Sequence, residues 1–588
     1  MTRASHVALL MLIACGSSKD GTSTRPAPTD GLTDTAPPTS PTPTGTPDTA
    51  TTGTDTGTDT GSPPPTGATG TSADTGTFVG TPPTLTAGPT LSDPPLVNTV
   101  PLTQLLSVST VEPTELTVHL DDGERTVHVH FPAVATEHEV PLLGLPAGDT
   151  IEVTVDLESD AGVLRGVTAG SVTTPAAPSP FPIVDVLAHD PARAEPGYLF
   201  FSIKSPEPGI DYLLAFDDRM RLVWWWDDIG NYGDVRVLPD TATIVGIYQN
   251  HAVHRDFLGV ETLRYRPNAS EPHELPSPFF SIHHELYPVD DGSWWALCSG
   301  STVVPAYPTT YTDPTTLGGP ASVADECIAH VGADGTLLSR WWATDLLDTT
   351  RIGFDSLSLT GSGRDWVHLN GVVPTDDGGA IVSSRHQGAL FKVSAGGDLE
   401  WILADPEGWS AAFQPYVLTP RGQVLWPYHQ HAPALADDGT LWVFDNHSHG
   451  RTPYTDALSA SPEVTRLAGF RVDPVAMTVE MVGGYAETAT GELYSPALGD
   501  ADPMPLTGNI LGDFGFIDGE SGQTHYDLGR GRKAVRLVEM DPDNPSTPAL
   551  DVRLSSDRKE FPEGWKMYRA SKIPSLYPAD VEVRWTDR

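Results

Sequence analysis

The sequence is short of basic residues, of long apolar runs and of helical periodicity. It has 34 Lys and Arg against 77 Asp and Glu, which gives a formal net charge of -43. Nucleic-acid binding requires a basic surface, which this composition does not supply. No run reaches about 18 apolar residues, the length that a membrane-spanning helix needs. These shortages exclude nucleic acid as a partner and argue against a transmembrane helix.

Turn residues and short apolar runs are abundant instead. The chain contains 56 Gly and 56 Pro, and short apolar segments recur between Gly, Pro, Asn and Asp. Few windows show a period of about 3.6 residues, whereas this punctuation is typical of strands. With 588 residues the chain is also too long for one compact domain. The sequence therefore predicts an all-β protein of two or more domains.

The N-terminus has the composition of an export signal. Residues 1–15 carry Arg3, an apolar stretch and then Cys15, and the stretch is too short to span a bilayer. The run LIACG resembles the lipobox of bacterial lipoproteins, which implies that Cys15 is acylated and becomes the mature N-terminus. The alternative is an ordinary signal peptide with an incidental cysteine.

Two regions separate this signal from the main domain. Residues 16–87 are almost entirely Thr, Pro, Gly, Asp and Ser, so we expect a disordered tether that holds the protein away from a membrane. Residues 88–176 contain short strands such as TVHVHFP and TIEVTVDLE, each ended by turn residues. Their number and spacing predict an immunoglobulin- or fibronectin-like β-sandwich.

A two-part repeat runs through residues 177–588. Its first half is a strand, an Asp-Gly-like turn and an apolar return strand, and its second half is another strand, turn and strand. Six second halves predict a six-bladed β-propeller with four strands in each blade. We assign the least clear first half to residues 182–203 and expect the strand at 581–585 to help close the ring.

Polar residues occupy equivalent positions in the repeats. His284, Asn370 and His431 each lie eight residues before the turn glycine, as does Asp500, and Asp234 corresponds to them. Ser299, Arg385 and Asn446 each lie seven residues after it, and His368 is two residues before Asn370. Since first strands line a propeller channel, these side chains should meet at one end of it. A repeated structural contact is the alternative, but the residues differ between blades, which favours a site.

Five stretches together resemble a known family. They are DWVHLN, SSRHQ, EWILADPEGW, SIHHELYPVDDG and YHQHAPALADDGTLWVFDN. Over residues 178–588 the chain is similar to the bacterial arylsulfotransferases, which are secreted six-bladed propellers that move a sulfuryl group between phenols. The resemblance implies aryl sulfates and phenols as small-molecule partners, ping-pong transfer without a nucleotide donor, and no cofactor.

The resemblance also assigns roles to residues. His431 corresponds to the histidine that becomes transiently sulfated, and His284, His368 and Arg385 correspond to groups that bind sulfuryl oxygens and move the phenol proton. Four neighbours are predicted to bind substrate: Asn370, His283, Asn446 and Asp500. A metal is not expected among these histidines, because Arg385 repels cations and suits an oxyanion.

The sequence supports three further expectations, which concern a disulfide, the location of the protein and a competing function. Cys298 and Cys327 are an even pair in an exported chain and are predicted to form a disulfide, although buried thiols are the alternative. The lipid anchor and tether predict an exported protein held at the bacterial outer membrane, on its periplasmic or cell-surface side. The competing function is a non-catalytic cell-surface propeller that binds a phenolic or anionic ligand, since the fold by itself supports either.

Overall fold

The computed structural model describes residues 80–205, 210–227, 232–311, 313, 315–452, 464–485, 493–518, 533–557 and 564–588. Cys15, the export signal and most of the predicted tether lie outside these ranges. Within them the chain consists of strands, with a single α-helix, α1 (Ala343–Leu346), and a single 3-10 helix (Gln414–Tyr416). In the same ranges no helix combines the length and apolarity that crossing a membrane requires. The all-β prediction is confirmed.

The first five strands share a sheet with the last strand of the chain, Glu582–Asp587. They are β1 (Leu85–Ser92), β2 (Gln104–Asp121), β3 (Arg125–Leu142), β4 (Thr150–Ser159) and β5 (Gly162–Thr173). Along most of β2 every second side chain is buried, because successive side chains of a strand point to opposite faces and one face covers the core. β1 begins at residue 85, slightly before the predicted end of the tether at residue 87.

This N-terminal sheet differs from the predicted sandwich. β2 pairs with β1 through its first half and with β4 through its second half, while β3 follows its other edge. Register shifts between Ser109 and Leu116 interrupt the pairing of β2 with β3, and such irregularities bend a strand. All six strands are therefore hydrogen-bonded into one bent sheet, where residues 88–176 had suggested two packed sheets.

The remaining strands follow in chain order. Between residues 183 and 276 lie β6 (Ile183–His189), β7 (Tyr198–Lys204), β8 (Asp211–Phe216), β9 (Leu222–Asp227), β10 (Tyr232–Leu238), β11 (Thr243–Tyr248), β12 (His251–Arg255), β13 (Glu261–Arg266) and β14 (Glu274–Pro276). Between residues 282 and 364 lie β15 (Ile282–Pro288), β16 (Trp294–Cys298), β17 (Ser301–Val304), β18 (Ala321–Ala324), β19 (Cys327–Val331), β20 (Leu337–Trp342), β21 (Leu359–Thr360) and β22 (Gly363–Arg364).

The C-terminal half continues in the same manner. Its strands are β23 (Leu369–Pro374), β24 (Ala380–Ser384), β25 (Ala389–Val393), β26 (Leu399–Ala404), β27 (Thr419–Pro420), β28 (His431–Leu435), β29 (Leu441–Asp445), β30 (Arg466–Asp473), β31 (Thr478–Tyr485), β32 (Asp500–Pro503), β33 (Ile510–Asp518), β34 (Lys533–Met540), β35 (Leu550–Ser555), β36 (Lys566–Ile573) and β37 (Glu582–Asp587).

Within the described ranges these strands form six sheets of four or five strands and one small inserted sheet. The six are β10–β14, β15-β16-β19-β20, β23–β26, β28–β31 with β27, β32–β35 with β6, and β36 with β7–β9. The inserted sheet consists of β17, β18, β21 and β22. The first strands of the six sheets contact one another in a closed cycle, in the order β10, β15, β23, β28, β32, β36 and back to β10.

The repeat found in the sequence corresponds to these sheets. The five first halves that begin near Asp234, His284, Asn370, His431 and Asp500 are all pairs of adjacent antiparallel strands. The glycines used to align them have positive φ angles of 71° to 83° at positions 292, 378, 439 and 508. A residue with a Cβ is strained in this conformation, which explains why glycine marks the turns.

The cycle closes differently from the prediction. β6 and β7, which we had joined as one first half at 182–203, belong to different sheets: β6 pairs with β35 and β7 with β36. The predicted closing strand at 581–585 is wrong, because β37 pairs with β3 in the N-terminal sheet and β36 supplies the missing first strand. Short alternating strands look alike in sequence, so their patterns do not specify which sheet edge they join.

Cys298 and Cys327 form a disulfide between neighbouring strands. Cys298 ends β16 and Cys327 begins β19, and the two are paired across the sheet with their Cα atoms 5.0 Å apart. The bridge closes the segment that carries β17 and β18.

A buried arginine joins four of the first strands. Arg569 on β36 lies 2.6 Å from Asp234 on β10 (Nε to Oδ1) and 3.0 Å from Asp500 on β32 (Nη1 to Oδ2). Its Nη2 donates to Glu285 on β15 at 3.0 and 3.1 Å. The guanidinium therefore neutralises carboxylates from three other sheets inside the ring.

Replacing Arg569 with leucine should destabilise the ring strongly. Removing one member of a buried ion group leaves the others charged and unpaired, which costs about 3–5 kcal/mol. Urea unfolding of the full chain measures this change. Arg584→Leu, which removes an exposed pair with Glu582, is the matched control and should shift the midpoint little. Equal midpoints for both variants would contradict the role given to Arg569.

Candidate active site

Irregular backbone at the start of three first strands determines where their histidines lie. His284 and His368 have positive φ angles of 60° and 45°, and Ala432, directly after His431, has a φ of 48°. The pairing registers of β15, β23 and β28 shift at these same places. Such bulges redirect side chains relative to a regular strand. The three histidines thus lie at the strand ends where an irregular backbone re-aims them.

His431 is buried and held by an amide. Its Nδ1 lies 2.6 Å from Oδ1 of Asn446, whose Nδ2 donates to the carbonyl oxygens of Ser495 and Leu498 at 2.7 and 2.9 Å. Since those carbonyls identify the amide nitrogen, Oδ1 must accept a proton from Nδ1–H of His431. Among the described residues Nε2 of His431 has no hydrogen-bond partner. The unprotonated nitrogen is therefore Nε2.

The electrostatic surroundings keep this ring neutral. Burial lowers the pKa of His431 to about 3, the positive charge of Arg385 and the ring of His368 act in the same direction, and the hydrogen bond to Asn446 opposes them. Arg385 and His368 are therefore close enough to His431 to act on it electrostatically. A neutral imidazole with its lone pair on Nε2 is a competent nucleophile or metal ligand at neutral pH.

His368 has a carboxylate as its partner. Its Nδ1 lies 2.9 Å from Oδ2 of Asp365, three residues earlier, and both side chains are almost completely buried. The carboxylate can only accept when ionised, so this contact fixes the tautomer with a proton on Nδ1. The ring of His386 lies 4.5 Å from that of His368 between centroids, and burial lowers the pKa of His386 to about 4.

His284 is held by its neighbour His283. Their Nδ1 atoms are 2.7 Å apart, and Nε2 of His283 lies 3.7 Å from Oε1 of the buried Glu326. The rings of His284 and His368 meet edge to face with centroids 5.0 Å apart, so the histidines of β15 and β23 converge. Tyr568 on β36 lies on the other side, 6.4 Å from the ring of His284.

Arg385 lies between this histidine group and an aspartate. Its backbone N–H donates to the carbonyl of His368 at 3.0 Å, which places it beside that residue. Its guanidinium is 6% exposed, and among the described residues its nearest carboxylate is Asp355, 3.5 Å from Nη1 to Oδ2. A planar fork of N–H donors in a buried site suits the oxygens of a bound oxyanion.

Asn370 connects two first strands. Its Nδ2 donates to the carbonyl of Gln430 at 2.7 Å, directly before His431. At Gly371 a side chain would meet Cδ of Pro433 at 2.4 Å, so β23 and β28 approach closely here. Within the described residues Oδ1 of Asn370 has no partner, although the side chain is buried. Asn370 thus fixes the backbone that carries His431.

A family model accounts for this arrangement. The arylsulfotransferase (ASST) model matches residues 187–560, well over half of the chain. The chain belongs to the arylsulfotransferase family. The match covers the sheets that carry His284, His368, Arg385 and His431, so the geometry described above lies inside the family domain.

Two curated arylsulfotransferases resemble part of the chain. AssT of Lelliottia amnigena is 30% identical over 182 residues, which are 28% of this chain and 30% of that protein. AssT of Escherichia coli is 30% identical over 160 residues, 24% of this chain and 26% of that protein. The chain thus matches less than a third of the length of either relative.

Solved structures are more distant. A streptogramin B lyase is 11% identical, with 64% of this chain and 98% of that chain covered and a TM-score of 0.29. Virginiamycin B lyase of Staphylococcus aureus is 8% identical, with 77% and 99% covered and a TM-score of 0.28. TM-scores this low show only a distant similarity between these structures and the chain.

This histidine group does not gather every residue that the repeat had aligned. His284, His368, Arg385 and His431 are brought together, and Asn446, Asn370 and His283 contact members of this group or the adjacent backbone. Asp500 and Asp234 instead pair with Arg569. The predicted position of these aspartates in the repeat is correct. The cation that binds them is Arg569, however, and it lies on β36, a strand that the sequence analysis had not placed in the ring.

Three residues near the histidines were not predicted from the sequence as members of the site: Asp365, Glu326 and Tyr568. Asp365 and His368 both belong to the quoted motif DWVHLN, and a carboxylate three residues before a histidine was a usable signal. Glu326 precedes Cys327 in an inserted segment, and Tyr568 precedes Arg569 on the unrecognised first strand β36. No local pattern marks these two.

Two groups of side chains in the described part of this chain have the composition of metal sites. One is Asp365, His368 and His386, and the other is Asp355, His429 and His449; in each, one potential ligand atom per residue lies within 4.8 Å of the others. The first contains His368 and so overlaps the site described above. The second lies beside it, because Asp355 also contacts Arg385.

Asn446→Leu should destabilise the fold by about 3 kcal/mol or more. The change removes the hydrogen bonds from the amide to Nδ1 of His431 and to the buried carbonyl of Leu498, while the carbonyl of Ser495 keeps a bond of 3.3 Å from Oγ1 of Thr465. Each buried group left unpaired costs about 1–3 kcal/mol. The chain offers a matched control in Ser299→Ala, since Ser299 occupies the equivalent place in its repeat and its Oγ has no hydrogen-bond partner among the described residues. Urea unfolding should separate the two variants clearly, and similar losses in both would show that the amide does not hold His431.

Proposed function

We propose that this chain is a nucleotide-independent aryl-sulfate sulfotransferase that passes the sulfuryl group through His431. One observation carries the proposal: a buried, neutral imidazole has its Nδ1 held by Asn446 and its Nε2 without a partner among the described residues, within electrostatic reach of Arg385 and His368. Membership of the arylsulfotransferase family supports the reaction class. The substrates are then an aryl sulfate donor and a phenolic acceptor, with no cofactor required by this route.

The proposal includes the architecture that holds the site. The six sheets are the blades of a β-propeller, and their first strands surround a channel with the histidines at one end. The closed cycle of first-strand contacts supports this arrangement. The interlocking of β6 with β35 and of β7 with β36 supports it as well, since it joins the two ends of the ring.

In the first half-reaction Nε2 of His431 attacks the sulfur of the donor. An N–S bond forms, the bond from sulfur to the aryl oxygen breaks, and the electron pair leaves with the phenolate. The phenolate takes a proton from Nε2–H of the imidazolium form of His368 or His284, which leaves a neutral ring whose Nδ1 is held by Asp365 or His283. The Nδ1 proton of His431 stays hydrogen-bonded to Oδ1 of Asn446 throughout, so the imidazole ring does not need to rotate.

In the second half-reaction an acceptor phenol replaces the first product. The same imidazole takes the phenol proton, the phenol oxygen attacks sulfur, and the N–S bond breaks with its electron pair returning to Nε2 of His431. The acid of the first step is therefore the base of the second, as a ping-pong sequence requires.

Arg385 supplies the positive charge that this transfer needs. A sulfuryl group, like a phosphoryl group, carries its negative charge on terminal oxygens, so catalysis depends on placement and on donors aimed at those oxygens. Asp355 contacts only one edge of the guanidinium at 3.5 Å, which orients it. Asn370 acts indirectly, because it fixes the backbone before His431.

We also propose that the chain is exported and anchored to the bacterial outer membrane through acylated Cys15. The lipobox-like run and the following Thr- and Pro-rich segment support this location. The mass of the N-terminal peptide of the purified protein distinguishes a lipidated Cys15 from an ordinary cleavage site.

His431→Asn should abolish the covalent intermediate. With an aryl sulfate and no acceptor, the parent chain should release one equivalent of phenol in a burst and carry one sulfuryl group on His431. An amide of similar size cannot attack sulfur, so both signals should vanish. Rapid-mixing absorbance with p-nitrophenyl sulfate and intact-mass spectrometry measure them.

The control for this experiment is His447→Asn, which changes a histidine that pairs with Asp445 instead of joining the group. It should retain the burst. A full burst in the His431 variant would move the nucleophile to His284 or His368. Absence of activity in the parent chain with every aryl sulfate tried would favour the non-catalytic binding module.

Arg385→Lys should lower kcat/KM by roughly 10²–10³-fold, the loss typical of one transition-state donor. Lysine keeps the charge but loses the planar fork of donors. Steady-state kinetics with p-nitrophenyl sulfate and phenol measure the change. Arg471→Lys, which alters an exposed arginine paired with Asp438, should leave the rate unchanged. A mild effect at Arg385 would mean that charge alone is sufficient.

A further inference from the structure

Three potential metal ligands converge from three separate loops beside the histidine group. Asp355 lies between α1 and β21, His429 lies just before β28, and His449 follows β29. One ligand atom from each lies within 4.8 Å of the other two. His429 and His449 flank the β28–β29 hairpin, whereas Asp355 lies far from both in sequence and is brought to them by the tertiary structure.

The backbone at all three residues is unusual. Asp355, His429 and His449 have φ angles of 69°, 54° and 65°. Left-handed backbone is uncommon for residues with a Cβ and persists where the surrounding structure enforces it, often at ligand sites. Three adjoining residues in this conformation indicate that the loops are shaped to aim these side chains.

His429 gives an independent indication of a ligand. Its side chain is 3% exposed, and its Nδ1 has no hydrogen-bond partner within the described ranges. Buried polar atoms normally have a partner, and each exception needs an explanation. The ring of His429 meets that of His449 edge to face with centroids 5.4 Å apart, and Phe354 stacks on His449 at 4.2 Å. The two imidazoles are thus held in fixed orientations.

The donor set selects a class of ion. Two imidazole nitrogens with one carboxylate suit borderline divalent transition metals such as Zn²⁺, whereas Ca²⁺ and Mg²⁺ prefer oxygen ligands throughout. The positive charge of Arg385 would repel a metal ion. Asp355, however, contacts Nη1 of Arg385 through its Oδ2 at 3.5 Å. A carboxylate has two oxygens, so Asp355 can contact the guanidinium with one and a metal with the other, and its charge then separates the two cations.

We propose that Asp355, His429 and His449 bind one divalent transition-metal ion, with water completing its coordination. The ion ties together the loops before β21, before β28 and after β29, and so fixes Asp355 against Arg385. This site is distinct from the nucleophile, and its existence does not depend on the proposed transfer reaction.

The test uses the full chain without a polyhistidine tag, dialysed against a chelator and titrated with Co²⁺ alone. Bound Co²⁺ is read by its visible absorption, and Zn²⁺ is then added as a competitor. The variants are Asp355→Asn and His449→Phe, the second of which preserves a ring to stack on Phe354. The controls are His447→Phe, in the same loop, and His386→Phe, which disables the other three-residue group.

We expect one Co²⁺ per chain, displaced by Zn²⁺, with affinity lowered on the order of 100-fold or more in Asp355→Asn and His449→Phe, since even outer partners of metal ligands contribute 10–100-fold. Both controls should bind like the parent chain. No Co²⁺ absorption in the parent chain overturns the proposal. Loss of binding in His386→Phe alone overturns it too, because the ion would then belong to Asp365, His368 and His386.

Circular dichroism of each metal-free variant shows whether it folds. If Asp355→Asn does not fold, His449→Phe decides, because His449 is only partly buried and its replacement is aromatic. No substrate is present in these titrations, so their outcome is separate from that of the burst experiment with His431.

Discussion

The ring depends on the burial of one positive charge, the guanidinium of Arg569. Asp234, Glu285 and Asp500 reach it from three different sheets, and Arg236 adds a second cation beside Glu285. Burial raises the pKa of Asp500 well above its usual value and that of Glu285 to about 7, while Arg569 opposes both shifts. No single sheet can satisfy these groups, because each carboxylate costs free energy in the interior until the arginine arrives. Strand β36, the last of the six first strands along the chain, supplies this arginine, so the three carboxylates gain their shared counter-ion only when the cycle closes.

The same strands connect this ion cluster to the histidine group. On β15, His284 and Glu285 are consecutive, and the irregular backbone at His284 allows one to join the histidines and the other Arg569. On β36, Tyr568 lies near His284 while the next residue, Arg569, holds the carboxylates. Displacing either strand would therefore disturb both groups. Closure of the ring and geometry of the site are consequences of the same two strands.

The strands and the alignment of their turns could be predicted from the sequence. The irregular backbone within those strands could not. The turn glycines aligned His284, Asn370 and His431 correctly, because a positive φ at the turn is a local requirement. The spacing argument, which put His368 two residues before Asn370, does not include the register shift between Leu369 and Gly371. The error at 581–585 has the same origin: an alternating strand does not reveal its partner, and β37 pairs with β3 some 450 residues away. Glu326, the partner of His283, became visible only with the tertiary contacts, whereas Asp365 is a local partner of His368 within the same motif.

The partners of the two main imidazoles differ in charge, and this difference separates their proposed roles. His431 faces an amide oxygen, which accepts the Nδ1 proton but adds little to stabilise a second proton, and burial with Arg385 nearby disfavours a charged ring. His368 faces the carboxylate of Asp365, which accepts the Nδ1 proton and carries a negative charge. An amide beside the proposed nucleophile and a carboxylate beside the proposed proton carrier fit transfer through a neutral nitrogen. The reverse assignment would make His431 the proton carrier, although its partner is an amide that carries no charge to compensate a protonated ring.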